Sequence, residues 1–439
     1  MAKRQFWETR PLEFWAKAKE LRAGWQKSIE SKEKVVGQGN TAMYGDWSQA
    51  FPAITVIEDN PVGAMMQNKN EPFARRARLA SEIRGWGREI CGYQGNCWGG
   101  QFLGYIEDGT PWPRRQMVVP MPCVCDQHAK RGQQARDFEN MPQWMADTPI
   151  YFGEFNAERN ASMMEHRVYC DYRILNDIER IFGQKFDFDR MLELMEGNKQ
   201  ITEYAKEISM LMARTIPTPL SVKDLYSVYT IGGLTKVDPE ATVEFWKMVR
   251  DEVKWRADNH IAAVGNERFR WIEAHPPSWH YMKYYRYMEQ YGAVCLGSQY
   301  AHMMGGSLEE KPDGSIGVRE YPQHPAGTTI ETREDIVRVG FGPDVRYPNW
   351  FKQDEYIRRD ALTEFARIMQ ADGALLAIWR HGVGCTLTRK EQAMYLKEAG
   401  LSVIHYEGSQ PGDRTDLDEK RFLDQLDTWM ESLGFRIEE

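Results

Sequence analysis

Two stretches of this 439-residue chain repeat the same order of a strand, a turn, a helix and a second strand. In the first unit these four segments are 116–120, 121–126, 127–138 and 148–152. In the second unit they are 374–379, 380–386, 389–398 and 401–406. A helical crossover returns the chain parallel to the strand that it left, so each unit predicts a parallel sheet. The chain is therefore predicted to have an α/β fold.

The remaining segments suggest how the chain is divided. Apolar residues at helical spacing, such as Leu12, Trp15 and Ala18, predict an N-terminal helical arm over 1–75 that docks on its own body or on a partner. The other boundaries follow from the pattern of helices and strands. We predict a first α/β half over 76–205, a helical bridge over 206–265 and a second α/β half over 266–439.

Three further local features belong to the second half. Residues 291–296 predict a strand, and the segment from Asp360 to Met369 predicts an amphipathic helix with Asp360 as its N-cap. Residues 304–349 are rich in Gly and Pro and predict a long irregular insertion. An insertion of this length is more often functional or interfacial than structural filler.

Composition and charge limit the class of function. The hydrophobic share of 42% and the charged share of 27% are ordinary for a soluble globular protein. A net charge of −8 offers no global attraction for nucleic acid. The N-terminus lacks a signal-peptide core, and no apolar stretch reaches the roughly 20 residues that span a bilayer. We therefore predict a cytoplasmic protein that binds neither nucleic acid nor membrane.

Seven cysteines form an odd and widely spaced set, which argues against a disulfide framework. Cys91 lies in a Gly-rich stretch, whereas Cys125 and Cys385 lie in the turns of the two repeated units. Ligands of open α/β sheets bind at the carboxyl ends of the strands, where helix N-termini favour a thiolate. Three such thiolates suit zinc or an iron–sulfur cluster.

Several alternatives remain open at this point. The spacings of the pairs Cys91/Cys97 and Cys123/Cys125 match neither zinc fingers nor the ferredoxin run. A buried cysteine is also a common small core residue, and this interpretation is favoured for Cys170 and Cys295.

The order of these cysteines and their neighbours resembles one superfamily. Cys91 is followed by Gly and Tyr, Cys125 begins the run Cys-Asp-Gln-His-Ala-Lys130, and Cys385 precedes a strand that leads to Glu407-Gly408 and Asp413-Arg414. From about residue 75 to the C-terminus, the chain resembles the iron–sulfur subunits of the 2-hydroxyacyl-CoA dehydratase and benzoyl-CoA reductase superfamily. The aromatic segments 279–286 and 300–305 most resemble the larger cluster-bearing subunit of the ATP-dependent benzoyl-CoA reductases.

This resemblance implies a fold of two flavodoxin-like parallel-sheet halves with an N-terminal helical arm and a [4Fe–4S] cluster between the halves. It implies Cys91, Cys125 and Cys385 as the cluster ligands, with Cys97 and Cys123 as possible substitutes. The implied reaction is the two-electron reduction of benzoyl-CoA to a cyclic dienoyl-CoA. The implied partners are a homologous cluster-bearing subunit, a pair of ATP-hydrolysing subunits and reduced ferredoxin.

The absence of a phosphate loop of the form G-x-x-x-x-G-K-[ST] agrees with ATP hydrolysis on separate subunits. Two rival functions remain: a subunit of a 2-hydroxyacyl-CoA dehydratase, and a non-catalytic assembly subunit whose thiols are only buried. The candidate proton donors are His128, His280, His302 and His381, but a supporting or surface role is favoured for each. Glu407 lies near a strand end, where capping a turn is equally plausible. We assign no catalytic acid from the sequence.

Overall fold

A computed structural model describes most of the chain. The described residues are 5–30, 35–38, 50–58, 70–119, 126–142, 156–229, 231, 238–274, 281–298, 300–302, 308–318, 329–341, 355–379, 389–408 and 417–437. Among them, no helix is both long enough and apolar enough to cross a membrane.

In the residues that the structure describes, the N-terminal part combines a short parallel sheet with five helices. Its elements are α1 (Trp15–Glu30), β1 (Val35–Gln38), β2 (Thr55–Glu58), α2 (Glu71–Ile83), α3 (Gly92–Leu103), β3 (Met117–Val119), α4 (Asp126–Glu139) and α5 (Ala157–Phe182). Strand β1 pairs in parallel with both β2 and β3. Two strands of this sheet, β1 and β2, thus come from the segment that was predicted to be a helical arm. Among the described elements of this segment before α2, only α1 is a helix. The predicted strand at 148–152 lies outside the described residues.

Three helices follow: α6 (Phe188–Arg214), α7 (Val222–Tyr229) and α8 (Pro239–Asp258). The arm docks on this helical layer of its own chain. Phe14 is fully buried, and its ring meets that of Phe245 of α8 edge-on at 6.4 Å between centroids. The Glu252 carboxylate accepts hydrogen bonds from the backbone N–H groups of Glu13 and Phe14, each at 3.0 Å. These bonds satisfy donors that the start of α1 leaves without helical partners.

The C-terminal part is built around a four-stranded sheet. Its elements are β4 (Phe269–Glu273), α9 (Lys283–Glu289), β5 (Ala293–Gly297), β6 (Leu308–Glu310), β7 (Ile316–Val318), α10 (Arg333–Phe341), α11 (Glu355–Ile368), β8 (Gly373–Trp379), α12 (Arg389–Glu398), β9 (Ser402–Gly408) and α13 (Glu419–Ser432). The strand order is β5-β4-β8-β9, and all three pairings are parallel. Strands β6 and β7 form a separate antiparallel pair.

Helices cover both faces of this second sheet, as parallel sheets require. Phe269 and Trp271 of β4 belong to the larger apolar core, which also contains residues of α7, α9 and α13. Ile272 and Ala274 belong to a second core with residues of α11 and α12. Every residue of β4 is buried. The α/β fold class is therefore confirmed, with two parallel sheets of three and four strands.

The second repeated unit is also confirmed in its described elements, because β8, α12 and β9 follow the predicted order. The predicted strand at 291–296 is β5. The predicted N-cap at Asp360 is wrong: α11 already begins at Glu355, so Asp360 lies inside the helix. The residues between Glu355 and Asp360 are also helical. A cap that is assigned from the residue type at one position does not detect such an extension.

Helices α2 and α3 cross at unusually short range. A Cβ atom added at Gly99 of α3 would lie 1.8 Å from the backbone oxygen of Ala77 in α2. The Ser81 hydroxyl of α2 donates a hydrogen bond to the Gly95 carbonyl at 2.6 Å. Only a residue without a side chain allows the two backbones to approach this closely. This crossing determines where the first residues of α3 lie.

We predict that Gly99→Ala destabilises the fold by about 2–3 kcal/mol, because the new methyl group overlaps the backbone of α2. Urea unfolding followed by circular dichroism measures this loss. The matched control is Gly24→Ala in α1, where an added Cβ has no atom within 4 Å. There we expect a gain of up to about 1 kcal/mol, since Ala favours a helix more than Gly does. Equal stability of Gly99→Ala and the wild type would contradict the close crossing.

Candidate functional site

Cys91 is the one predicted cluster ligand that lies among the described residues. It directly precedes α3 as its N-cap residue and is 8% exposed. The buried Arg78 of α2 packs against Gly95, one turn further along α3, where an added Cβ would lie 3.2 Å from its Nη1 atom. A helix N-terminus carries partial positive charge, which favours a thiolate at Cys91.

Cys97 has a different setting, although it is only six residues further on. It lies in the middle of α3 and is 2% exposed. Its helical position places it away from the N-terminal turn that Cys91 begins. The geometry therefore favours Cys91 over Cys97 as the member of this pair that binds a metal.

Cys125 and Cys385, like Cys123, lie outside the described residues, but the elements beside them are described. Helix α4 begins at Asp126, directly after Cys125, and β8 ends at Trp379, six residues before Cys385. Helices α3 and α4 contact each other near their C-terminal ends. There the Phe102 and Phe138 rings meet edge-on at 5.0 Å, and the Glu139 carboxylate accepts hydrogen bonds from Gln101, Trp112 and Arg115.

This arrangement brings together two helices that each directly follow a predicted ligand. Among the described residues alone, no three His, Cys, Asp or Glu side chains gather as a metal site. The ligand set of Cys91, Cys125 and Cys385 therefore stays a prediction.

The two cysteines that we expected in the core have different environments. Cys295 of β5 is buried, and burial raises the pKa of its thiol well above the usual value. Cys170 of α5 is half-buried, with its sulfur 3.7 Å from the His166 Nε2 atom.

Of the four candidate histidines, only the side chain of His302 is described. It is buried, with Nδ1 2.7 Å from the Ser209 hydroxyl of α6 and Nε2 2.8 Å from the Leu296 carbonyl of β5. Burial lowers its pKa to about 4, so the imidazole is neutral at pH 7. His302 therefore joins α6 to β5. At pH 7 it lacks the second ring proton, which an imidazolium would donate as a general acid. Glu407 lies within β9 and is exposed.

The carboxyl edge of the second sheet holds a polar cluster that the sequence analysis missed. Glu273 ends the central strand β4 and is 3% exposed. Tyr226 of α7 and Tyr284 of α9 donate hydrogen bonds of 2.9 Å to its Oε1 and Oε2 atoms, respectively. Tyr285 donates to both oxygens, at 2.7 and 2.8 Å. We call these four residues the Glu273 cluster.

Burial dominates the electrostatics of this cluster. It raises the pKa of Glu273 to about 7, and the three tyrosine hydrogen bonds oppose that shift only in part. Burial also raises the pKa of all three tyrosines well above the usual value, so they remain protonated donors. A Glu at the end of an apolar strand, followed by the Tyr-rich segment of α9, is the sequence signal that could have revealed the cluster.

The Glu273 cluster predicts a specific dependence of stability on pH. The pKa of Glu273 is higher in the folded chain than its ordinary 4.5, so the folded state holds the extra proton between pH 4.5 and about 7. Its contribution to the unfolding free energy is fully present below pH 4.5 and is lost as the pH rises to about 7. We expect a loss of about 3 kcal/mol across this window.

Urea unfolding of the wild type and of Glu273→Gln, at several pH values, measures this contribution as a difference. Taking the difference removes the effects of His302 and of the buried Asp171, whose pKa burial also raises to about 7. The same substitution at the exposed Glu407 controls for the loss of a carboxylate. A wild-type minus Glu273→Gln difference that stays constant or rises with pH would contradict the assignment.

Comparison with known proteins adds the family. Residues 65–320, more than half of the chain, match the family model described as 2-hydroxyglutaryl-CoA dehydratase, D-component. A search of curated proteins finds no match. The matched region contains Cys91, Cys125 and the whole Glu273 cluster, whereas Cys385 lies beyond it. The chain therefore belongs to the 2-hydroxyglutaryl-CoA dehydratase D-component family, within the superfamily that its cysteine motifs indicated.

Proposed function

We propose that this protein is the cluster-bearing subunit of a benzoyl-CoA reductase complex that reduces the aromatic ring of benzoyl-CoA to a cyclic dienoyl-CoA. The family match over residues 65–320, which includes Cys91 at the start of α3, supports a component of an acyl-CoA enzyme. The observation that carries the choice of the reductase is the resemblance of segments 279–286 and 300–305 to the larger cluster-bearing subunit of the benzoyl-CoA reductases. The family description names an enzyme component that acts on an acyl-CoA thioester. The complex is proposed to work in the cytoplasm.

The described residues fit the metal group that this function needs. Cys91 offers a soft sulfur donor at a helix N-terminus, and such donors select iron–sulfur clusters or zinc. Cys125 and Cys385 are proposed as the other two ligands of a [4Fe–4S] cluster. When bound, the cluster would supply single electrons to the acyl-CoA substrate. The Cys91 segment would hold it next to the closely crossed helices α2 and α3.

The choice of an aromatic substrate rests on the resemblance of segments 279–286 and 300–305 to the larger cluster-bearing subunit of the ATP-dependent benzoyl-CoA reductases. Part of the first segment forms α9, whose Tyr284 and Tyr285 are buried beneath the carboxyl edge of the second sheet. Trp271 of β4 stacks on Tyr285, with 5.8 Å between ring centroids. These aromatic side chains pack in the apolar core beneath that edge, and a site from which water is excluded is what reduction of a benzene ring requires.

The proposed partners follow from the same resemblance. A homologous cluster-bearing subunit would bind benzoyl-CoA together with this chain. A separate pair of subunits would hydrolyse ATP and pass on electrons from reduced ferredoxin. The designation of the family as a D-component supports a place within a multi-component enzyme.

A second candidate is a 2-hydroxyacyl-CoA dehydratase subunit, which the name of the matched family favours. Both reactions would use an acyl-CoA thioester and the same cysteines, but they differ in electron use. Ring reduction consumes two electrons in every turnover. Elimination of water from a 2-hydroxyacyl-CoA causes no net reduction, so an electron that starts the reaction is returned.

We predict that the purified anaerobic complex consumes benzoyl-CoA only while ATP and reductant are supplied. Product analysis by mass spectrometry, together with the ratio of ATP hydrolysed to product formed, tests this. Continued turnover of a 2-hydroxyacyl-CoA after one initial reduction would contradict the reductase and support the dehydratase.

We predict that Cys91→Ala, Cys125→Ala and Cys385→Ala each lose most of the bound iron and sulfide, because a cubane held by three thiolates loses one of its anchors. Chemical iron and sulfide analysis with Mössbauer spectroscopy on anaerobically prepared protein measures the loss. Cys170→Ala, on the half-buried face of α5, is the matched control and should retain the cluster.

Cys97→Ala separates the two members of the first pair. It should retain iron, since Cys97 lies in the middle of α3. Loss of iron in Cys97→Ala but not in Cys91→Ala would reverse the ligand assignment. A wild-type protein with no iron and no sulfide would support the assembly subunit instead.

A further inference from the structure

Glu273 is a buried carboxylate that neutral donors surround. The described titratable groups that face it are Tyr226 of α7, Tyr284 and Tyr285 of α9, and Cys295 of β5. Tyr406 of β9 lies next to Tyr284. A purely structural buried carboxylate is normally paired with a cation, because an unpaired charge in the interior is costly. The cluster instead suits a group that gains and loses a proton.

Counting protons shows where that proton can go. When Glu273 is ionised, all three tyrosine hydroxyls donate to its two oxygens. A neutral Glu273 must donate its own proton, so one tyrosine oxygen has to accept it and direct its hydroxyl proton elsewhere. Tyr226 has the acceptor that this needs: its hydroxyl oxygen lies 3.3 Å from the Ser298 Oγ atom.

All three tyrosines belong to the large apolar core, and the rings of Tyr284 and Tyr285 lie 4.2 Å apart. Tyr226 differs from them because its hydroxyl also reaches Ser298, which is buried and directly follows β5. We call the connection from Tyr226 to Ser298 the outward branch of the hydrogen-bond network. In this branch a proton moves from Glu273 to Tyr226 while the Tyr226 proton moves to Ser298.

The outward branch ends where a substrate would be expected. Ser298 directly follows β5, and Glu273 ends the neighbouring strand β4. Both therefore lie at the carboxyl edge of the parallel sheet, where open α/β folds bind their ligands. Tyr300 is half-buried there and packs near Tyr226, with 6.3 Å between ring centroids.

We propose that Tyr226 and Ser298 carry a proton from Glu273 to the carboxyl edge of the second sheet, where the reduced acyl-CoA substrate takes it up. The delivery to substrate rests on the proposed function. Each transfer breaks the O–H bond of the Glu273 carboxyl group and leaves the electron pair on the carboxylate. The proton ends on substrate that has accepted electrons from the ferredoxin-class reductant. After the product leaves, a proton from bulk water returns to Glu273 through Ser298 and Tyr226.

The pKa of Glu273, raised by burial to about 7, allows both of its forms to be present at neutral pH. Glu273 and Tyr226 act on the substrate through Ser298. They are positioning residues in this path, and a test of their role needs a readout that a merely structural contact would not move.

Time-resolved infrared spectroscopy of the full chain provides that readout. After a jump from about pH 6 to about pH 8, on either side of the Glu273 pKa, the carboxyl C=O band of Glu273 disappears as the proton leaves. The band is assigned by its absence in Glu273→Gln. Folding of each variant is verified by circular dichroism.

Two tyrosine variants separate the path from simple stabilisation of the carboxylate. Tyr226→Phe and Tyr284→Phe each remove one hydrogen bond to Glu273, so both should raise the midpoint of its titration. Only Tyr226→Phe removes the connection to Ser298, and it should slow loss of the band by at least about tenfold. Tyr284→Phe should leave the rate within about threefold of the wild type. Equal slowing by both variants, or no band assignable to Glu273, would overturn the path.

Turnover by the anaerobic complex tests delivery to the substrate. Tyr226→Phe should lower kcat by about tenfold or more with little change in KM. The control is Tyr287→Phe, on the same helix as Tyr284, whose hydroxyl donates to Asp427 at 2.6 Å outside the cluster. Its kcat should equal that of the wild type.

Unchanged kcat in Tyr226→Phe would overturn delivery to the substrate. A wild-type complex that converts neither benzoyl-CoA nor a 2-hydroxyacyl-CoA would overturn the proposed function and the delivery that rests on it. In that case the infrared rates still decide whether the path from Glu273 through Tyr226 exists.

Discussion

The parallel pairing of β4 with its two neighbours is the constraint on which the second half of the protein depends. Backbone hydrogen bonds link β4 to β5 on one side and to β8 on the other. Because the strands run in the same direction, their carboxyl ends meet at one edge. Three residues lie at this edge although they are far apart in sequence: Glu273, Ser298 and Trp379, at which β8 ends.

The protein stabilises negative charge in two different ways. At Cys91, the N-terminus of α3 supplies partial positive charge to the thiol. At Glu273, neutral hydroxyls supply hydrogen bonds, and burial still raises the pKa to about 7. The first environment favours the ionised form of a thiol, whereas the second favours a group that exchanges a proton near neutral pH.

Local sequence patterns predicted the elements whose signals are complete within a few residues. Strands β3 and β8 are short apolar runs, and α12 lies between two such signals in the second repeated unit. Strands β1 and β2 were missed within the predicted arm because each has only four residues, and β1 contains a glycine. Both contain β-branched residues that are typical of strands, but such short strands are stabilised chiefly by their pairing across the sheet, and a four-residue pattern does not reveal that pairing.

The sequence by itself determined the α/β class and the superfamily, because local residue patterns predict the order of strand, turn and helix around the cysteines. Only the tertiary structure decided that Glu273 meets Tyr226, which lies 47 residues before it, and that Cys91 begins α3 while Cys97 is enclosed within it. The physical reason is that strand order and helix crossing set the distances between side chains remote in sequence. The same packing then sets how strongly each charge is desolvated.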